Sequence, residues 1–75
     1  MTLEQLTTIR AAGTFHHATY RFDGIHEGLW IYTKAEHGFR GFDVAGAFFK
    51  DDPNLKAAEE MVRGTGVSVG AYGGG

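Results

Sequence analysis

Residues 28–34 read Gly28-Leu29-Trp30-Ile31-Tyr32-Thr33-Lys34, and a strand over them carries large apolar side chains on both sides. Side chains alternate along a strand, so Leu29, Ile31 and Thr33 point one way and Trp30, Tyr32 and Lys34 the other. The stretch from Phe39 to Phe49 repeats the pattern, with Phe42, Val44 and Phe48 set against Phe39 and Phe49. A chain of 75 residues has material for one sheet and about two helices. Two helices shield one face of a sheet. The other face is therefore expected to keep aromatic rings in water, which marks a contact surface.

The flanking sequence supplies the remaining elements. Thr2 and Gln5 stand at capping-box spacing, Leu3, Leu6 and Ile9 recur on one helical face, and Gly13 suits a left-handed helix end. Alternation over residues 14–22 predicts a first strand, with Tyr20 and Phe22 on its core side. Asp23-Gly24 signals a turn. Residues 28–34 form the second strand, residues 35–38 a short hairpin loop, and residues 39–49 the third strand. Phe39 and Phe42 cannot share a face under strict alternation, so a bulge is expected at Arg40-Gly41. Asp52 as N-cap followed by Pro53 starts a second helix, with Leu55, Ala58, Met61 and Val62 on its apolar side and Gly64 at its end. A short last strand contains Val67, Val69 and Ala71, and Gly73, Gly74 and Gly75 form a flexible tail.

The expected fold is thus a single α+β domain over residues 1–75, a two-layer sandwich in the order α-β-β-β-α-β, with an antiparallel sheet and both helices on one face. Leu29, Ile31, Phe42, Val44, Phe48, Tyr20, Phe22, Val67 and Val69 are expected in the core. Trp30, Tyr32 and Lys34 are expected on the open face, with Thr19, Arg21, Asp43 and Phe49 as neighbours.

Composition narrows the function. The formal charge is −2, whereas non-specific nucleic-acid binders usually carry a basic excess, because phosphate neutralisation supplies most of their affinity. There is no cysteine, which removes disulfides and thiolate metal sites and fits a cytoplasmic setting. No basic segment precedes an apolar run, and no apolar stretch approaches the ~20 residues of a membrane helix. Neither a signal peptide nor a membrane partner is therefore expected.

Catalytic and metal-binding patterns are weak. The four histidines are His16, His17, His26 and His37. On a regular strand His16 and His17 face opposite ways and cannot chelate together, so no metal and no cofactor is expected. Asp23, Glu27, Glu36 and Asp43 are scattered rather than paired, and Ser68 is the sole serine. The element order resembles the core of restriction-type nucleases, which use a Pro-Asp motif and an acid-x-Lys motif. Lys34 is preceded by Tyr32 and Thr33, so the second motif is missing, and a non-enzymatic protein is expected.

Trp30, Tyr32, Phe39 and Arg40 are the expected partner-binding anchors, with Arg21 and Lys34 as supporting cations. Exposed rings beside cations suit the energetic centre of a protein interface. They also suit single-stranded nucleic acid, whose bases stack on rings, and a homodimer would bury the same two faces. In size and make-up the whole chain resembles the small phage-encoded inhibitors of bacterial defence, of which anti-CRISPR proteins are the best-known group. The likeness rests on no motif, so it assigns no functional residue. It implies a protein of the host-cell cytoplasm that binds a nucleoprotein effector and blocks target DNA. Inhibitors that imitate DNA by charge are strongly acidic, so the contact implied is aromatic and of mixed charge. The terminal Gly74-Gly75 resembles the end of ubiquitin-like sulfur carriers, which implies an alternative role through an activated C-terminus.

Overall fold

The structure, a computed structural model, describes residues 1–34 and 41–64 and the backbone of 69–70. Its elements are α1 (Leu3–Ala12), β1 (Phe15–Phe22), β2 (Glu27–Lys34), β3 (Phe42–Phe49), α2 (Leu55–Arg63) and β4 (Val69–Gly70). The α+β order is the expected one. The hairpin loop at 35–38, Val67, Ala71 and the glycine tail lie outside the described residues.

Helix α1 starts where its capping box places it. Thr2 Oγ1 accepts from the Gln5 backbone N–H at 3.1 Å, and Gln5 Oε1 accepts from the Thr2 backbone N–H at 2.8 Å. Gly13 ends the helix at φ 74°, a conformation that costs a Cβ-bearing residue energy. Helix α2 starts later than the Asp52-Pro53 signal predicts, with Asn54 at the N-cap. The Asp52 carboxylate instead accepts from the Asn54 N–H at 2.8 Å. This closes a local turn before the helix.

The sheet runs in the order β3-β2-β1-β4. Its three long strands are antiparallel, and the two-residue β4 pairs parallel to β1 through Ala18 and Thr19. Both helices pack on one side. Leu6 of α1, Ala18, Leu29, Ile31 and Phe48 of the sheet, and Ala58 and Val62 of α2 form one fully buried cluster. Each of its large side chains contributes about 1.5–3 kcal/mol through burial. Tyr20 donates its hydroxyl hydrogen bond to the Glu59 carboxylate and so fastens β1 to α2.

Two irregularities set which residues reach the other face. Phe15 pairs with Thr33 and His17 with Tyr32, which leaves His16 as an extra residue in β1. Ile31 pairs with Gly46 and Tyr32 with Val44, which leaves Ala45 as an extra residue in β3. Directly paired residues share a face, so β3 carries a bulge at Ala45; the bulge expected at Arg40-Gly41 falls partly outside the described residues. Phe42 and Val44 are thereby moved from the expected core to the helix-free face, beside Lys34 and Tyr32. Asp43, opposite Thr33, moves the other way. Phe22, at the end of β1, is exposed rather than in the core.

Candidate interface on the open sheet face

The helix-free face is built from every second residue of three strands. β1 supplies His17, Thr19 and Arg21, β2 supplies Trp30, Tyr32 and Lys34, and β3 supplies Phe42, Val44, Ala47 and Phe49. Of the expected anchors and cations, Trp30, Tyr32, Arg21 and Lys34 come together here. Phe39 and Arg40 lie outside the described residues.

Trp30 and Tyr32 are not the exposed rings that alternation predicts. They are 8% and 7% accessible. Among the described residues no helix covers them, and side chains of their own face pack over them. The Arg21 guanidinium lies over the Trp30 ring, 5.7 Å from its centroid, and Arg21 Nη1 donates to Tyr32 Oη at 3.3 Å. A cation over an aromatic face adds about 0.5–1 kcal/mol at an exposed site. His17 stacks on Tyr32 with ring centroids 4.5 Å apart and planes at 10°. Phe42 meets Tyr32 edge to face at 5.0 Å, and Phe49 meets Trp30 edge to face at 5.5 Å. These offset and edge contacts are the favoured ring geometries. His26, from the β1–β2 turn, extends the row by stacking on Phe49 at 4.6 Å.

The rim of this cluster stays in water. Phe42 is 48%, Val44 54% and Phe49 37% accessible. All three belong to β3, the edge strand, and they form an apolar ridge along one margin of the face. Sequence reasoning placed Phe42 and Val44 in the core and missed their role. The signal that could have found them is the pair of small residues Ala45-Gly46, since a bulge between Val44 and Phe49 puts Phe42, Val44 and Phe49 on one shared face.

The two histidines at the start of β1 also depart from expectation. The bulge at His16 turns its ring to the side of His17, and the two Nδ1 atoms stand 2.7 Å apart. The rings meet edge to face at 4.9 Å, and Phe42 packs against both. Burial, and then the neighbouring charge of His16, hold the His17 pKa below the usual imidazole value.

Elsewhere, a cleft of about 340 Å³ is lined by Tyr20, Glu27, Gly28, Lys50 and Leu55. Lys50 and Glu27 pair across it at 3.8 Å. Burial and the bond to Glu59 raise the Tyr20 pKa above the ordinary phenol value, so the hydroxyl stays a donor and is no ready base. No helix among the described residues is long and apolar enough to cross a membrane. Comparisons with known protein families, curated proteins and solved structures return no match to this chain.

Proposed function

We propose that the protein is a non-enzymatic binding module that docks a larger protein or nucleoprotein partner on its open sheet face and acts by steric blockade. The observation that carries this reading is the ridge of Phe42, Val44 and Phe49 on the side without helices. Folding alone gains little from rings left half in water, whereas interface centres are enriched in aromatic side chains and Arg. Phe42, Val44 and Phe49 are then the anchors, Trp30 and Tyr32 the rigid floor beneath them, and Arg21 and Lys34 the flanking cations. The likeness in size and make-up to phage-encoded inhibitors of bacterial defence supplies a partner class, a nucleoprotein effector.

Stacking of single-stranded nucleic acid fits this face less well. Base stacking needs open ring faces, and those of Trp30 and Tyr32 are occupied by Arg21 and His17.

The test is affinity capture from host lysate with wild type and a Phe42→Ser/Phe49→Ser variant, each with and without nuclease. The expected result is a discrete protein species that survives nuclease and high salt and is lost with the variant. Equal capture by both proteins overturns the assignment of the face. Capture that nuclease abolishes and salt weakens steeply replaces the protein interface with a nucleic-acid one.

A further inference from the structure

We propose that His16 and His17 form a chelating site for a divalent cation of tetragonal preference, Cu²⁺ or Ni²⁺. The proposal stands on the geometry of the bulge and is independent of the docking reading. On a regular strand these two side chains would diverge. Here the extra residue at His16 brings both rings to one side, with Nδ1 facing Nδ1 at 2.7 Å. At this separation one Nδ1 donates its proton to the other, and a cation that displaces that proton takes the same two nitrogens.

Ring contacts brace the pair. His17 is held by stacking on Tyr32 and by the edge contact with Phe42, and Phe42 also braces His16. Ligands already in place lose little freedom on binding.

The separation also selects the metal. With metal–nitrogen bonds of about 2.0–2.1 Å, a 2.7 Å separation subtends roughly 80° at the cation. That is close to the right angle of square-planar and tetragonal sites. Tetrahedral Zn²⁺ would need the nitrogens about 3.4 Å apart. Imidazole donors and tetragonal geometry together favour Cu²⁺ and Ni²⁺, and the general affinity order of divalent metals puts Cu²⁺ first. Each ring would bind through Nδ1 and carry its proton on Nε2. Among the described residues no third histidine, cysteine or carboxylate joins the pair. The other positions of the cation are left to water, as in an open, exchangeable site.

The test is titration of the full-length chain with Cu²⁺, Ni²⁺ and Zn²⁺ salts, one metal at a time, by calorimetry near pH 7.5, a pH of about one unit above the free imidazole value. Electron paramagnetic resonance of the Cu²⁺ form supplies the ligand count. The expected result is one site, two nitrogens on Cu²⁺, and affinity falling from Cu²⁺ through Ni²⁺ to Zn²⁺. His16→Ala and His17→Phe should each lower Cu²⁺ affinity on the order of tenfold or more. His16 is exposed, and the phenyl of His17→Phe keeps the stack on Tyr32, so both variants are expected to fold. Unchanged Cu²⁺ affinity in either variant, a single bound nitrogen in the wild type, or loss of affinity in His26→Ala in their place overturns the site. Zn²⁺ binding as tight as Cu²⁺ overturns its tetragonal geometry.

Discussion

Phe48 and Phe49 are neighbours in sequence and opposites in the fold. Phe48 turns toward the helices and is fully buried among Leu6, Leu29, Ile31, Ala58 and Val62. Phe49 turns the other way, touches Trp30 and His26, and keeps part of its ring in water. The same division runs through the sheet. On the helix side, aliphatic residues from both helices seal the strands. On the other side, among the described residues, rings and a guanidinium cover one another, and the covering layer itself stays half exposed. The first face shows how a short chain obtains stability. The second shows where apolar surface is retained beyond that need, and its concentration on β3 gives it a direction.

The largest expected effect tests the helix side. Phe48→Ala should lose about 3–5 kcal/mol of unfolding free energy in a denaturant titration, because it removes a fully buried ring and leaves a cavity. A loss under about 1 kcal/mol would mean that the helices do not seal this face. Trp30→Ala sharpens the contrast. Among the described residues its indole is covered by the open-face side chains Arg21 and Phe49, so a loss of about 2–4 kcal/mol would show that this face holds a small core of its own beneath the exposed rim. A smaller loss would make Trp30 a contact residue after all.

Gly28→Ala probes the seam between β2 and β3, which both faces share. A Cβ there would run into the Phe48 carbonyl and stand 2.7 Å from Phe49 Cα. The expected cost is about 1–3 kcal/mol, as for overpacking, and an unchanged melting midpoint would contradict the register. The smallest effect lies in the β1–β2 turn. The Asp23 carboxylate accepts from the backbone N–H groups of His26 at 2.6 Å and Ile25 at 2.9 Å, which holds its pKa below the usual carboxylate value. A lowered folded pKa gives stability that is present above the unfolded value of about 3.9 and lost as pH falls through the folded one. Stability measured from about pH 5 down to pH 2 should therefore fall less steeply in Asp23→Ala than in wild type.

Much of this was legible in the sequence, and the failures have a common physical cause. The caps at Thr2 and Gly13, the strand pattern of Leu29, Ile31 and Phe48, and the apolar side of α2 are local signals, and each stands where the residues put it. The bulges at His16 and Ala45 are not local. The pair Phe39 and Phe42 suggests a phase shift in this stretch but does not say where. Gly41 was the obvious position, yet it precedes β3 and holds φ 123°. The shift falls beside Gly46, where a Cβ would stand 2.9 Å from Met1 Cβ. The neighbour that crowds Gly46 is thus 45 positions away, at the start of the chain. The burial of Trp30 was hidden for the same reason. It depends on which cross-strand neighbours lean over the ring, and register alone decides that.

The two bulges matter because each redirects side chains that regular strands would have separated. The one in β3 gathers Phe42, Val44 and Phe49 on one face. The one in β1 turns His16 toward His17. The candidate docking ridge and the candidate cation site both arise from these single extra residues, and Phe42 touches both.

The most direct measurement is the unfolding free energy of the Phe42→Ser/Val44→Ser double variant set beside that of Phe48→Ala. If the β3 ridge exists for contact, the double variant loses less than about 2 kcal/mol, well below the single buried phenylalanine. A loss equal to or greater than that of Phe48→Ala would show that Phe42 and Val44 serve the fold, and the open face would no longer mark an interface.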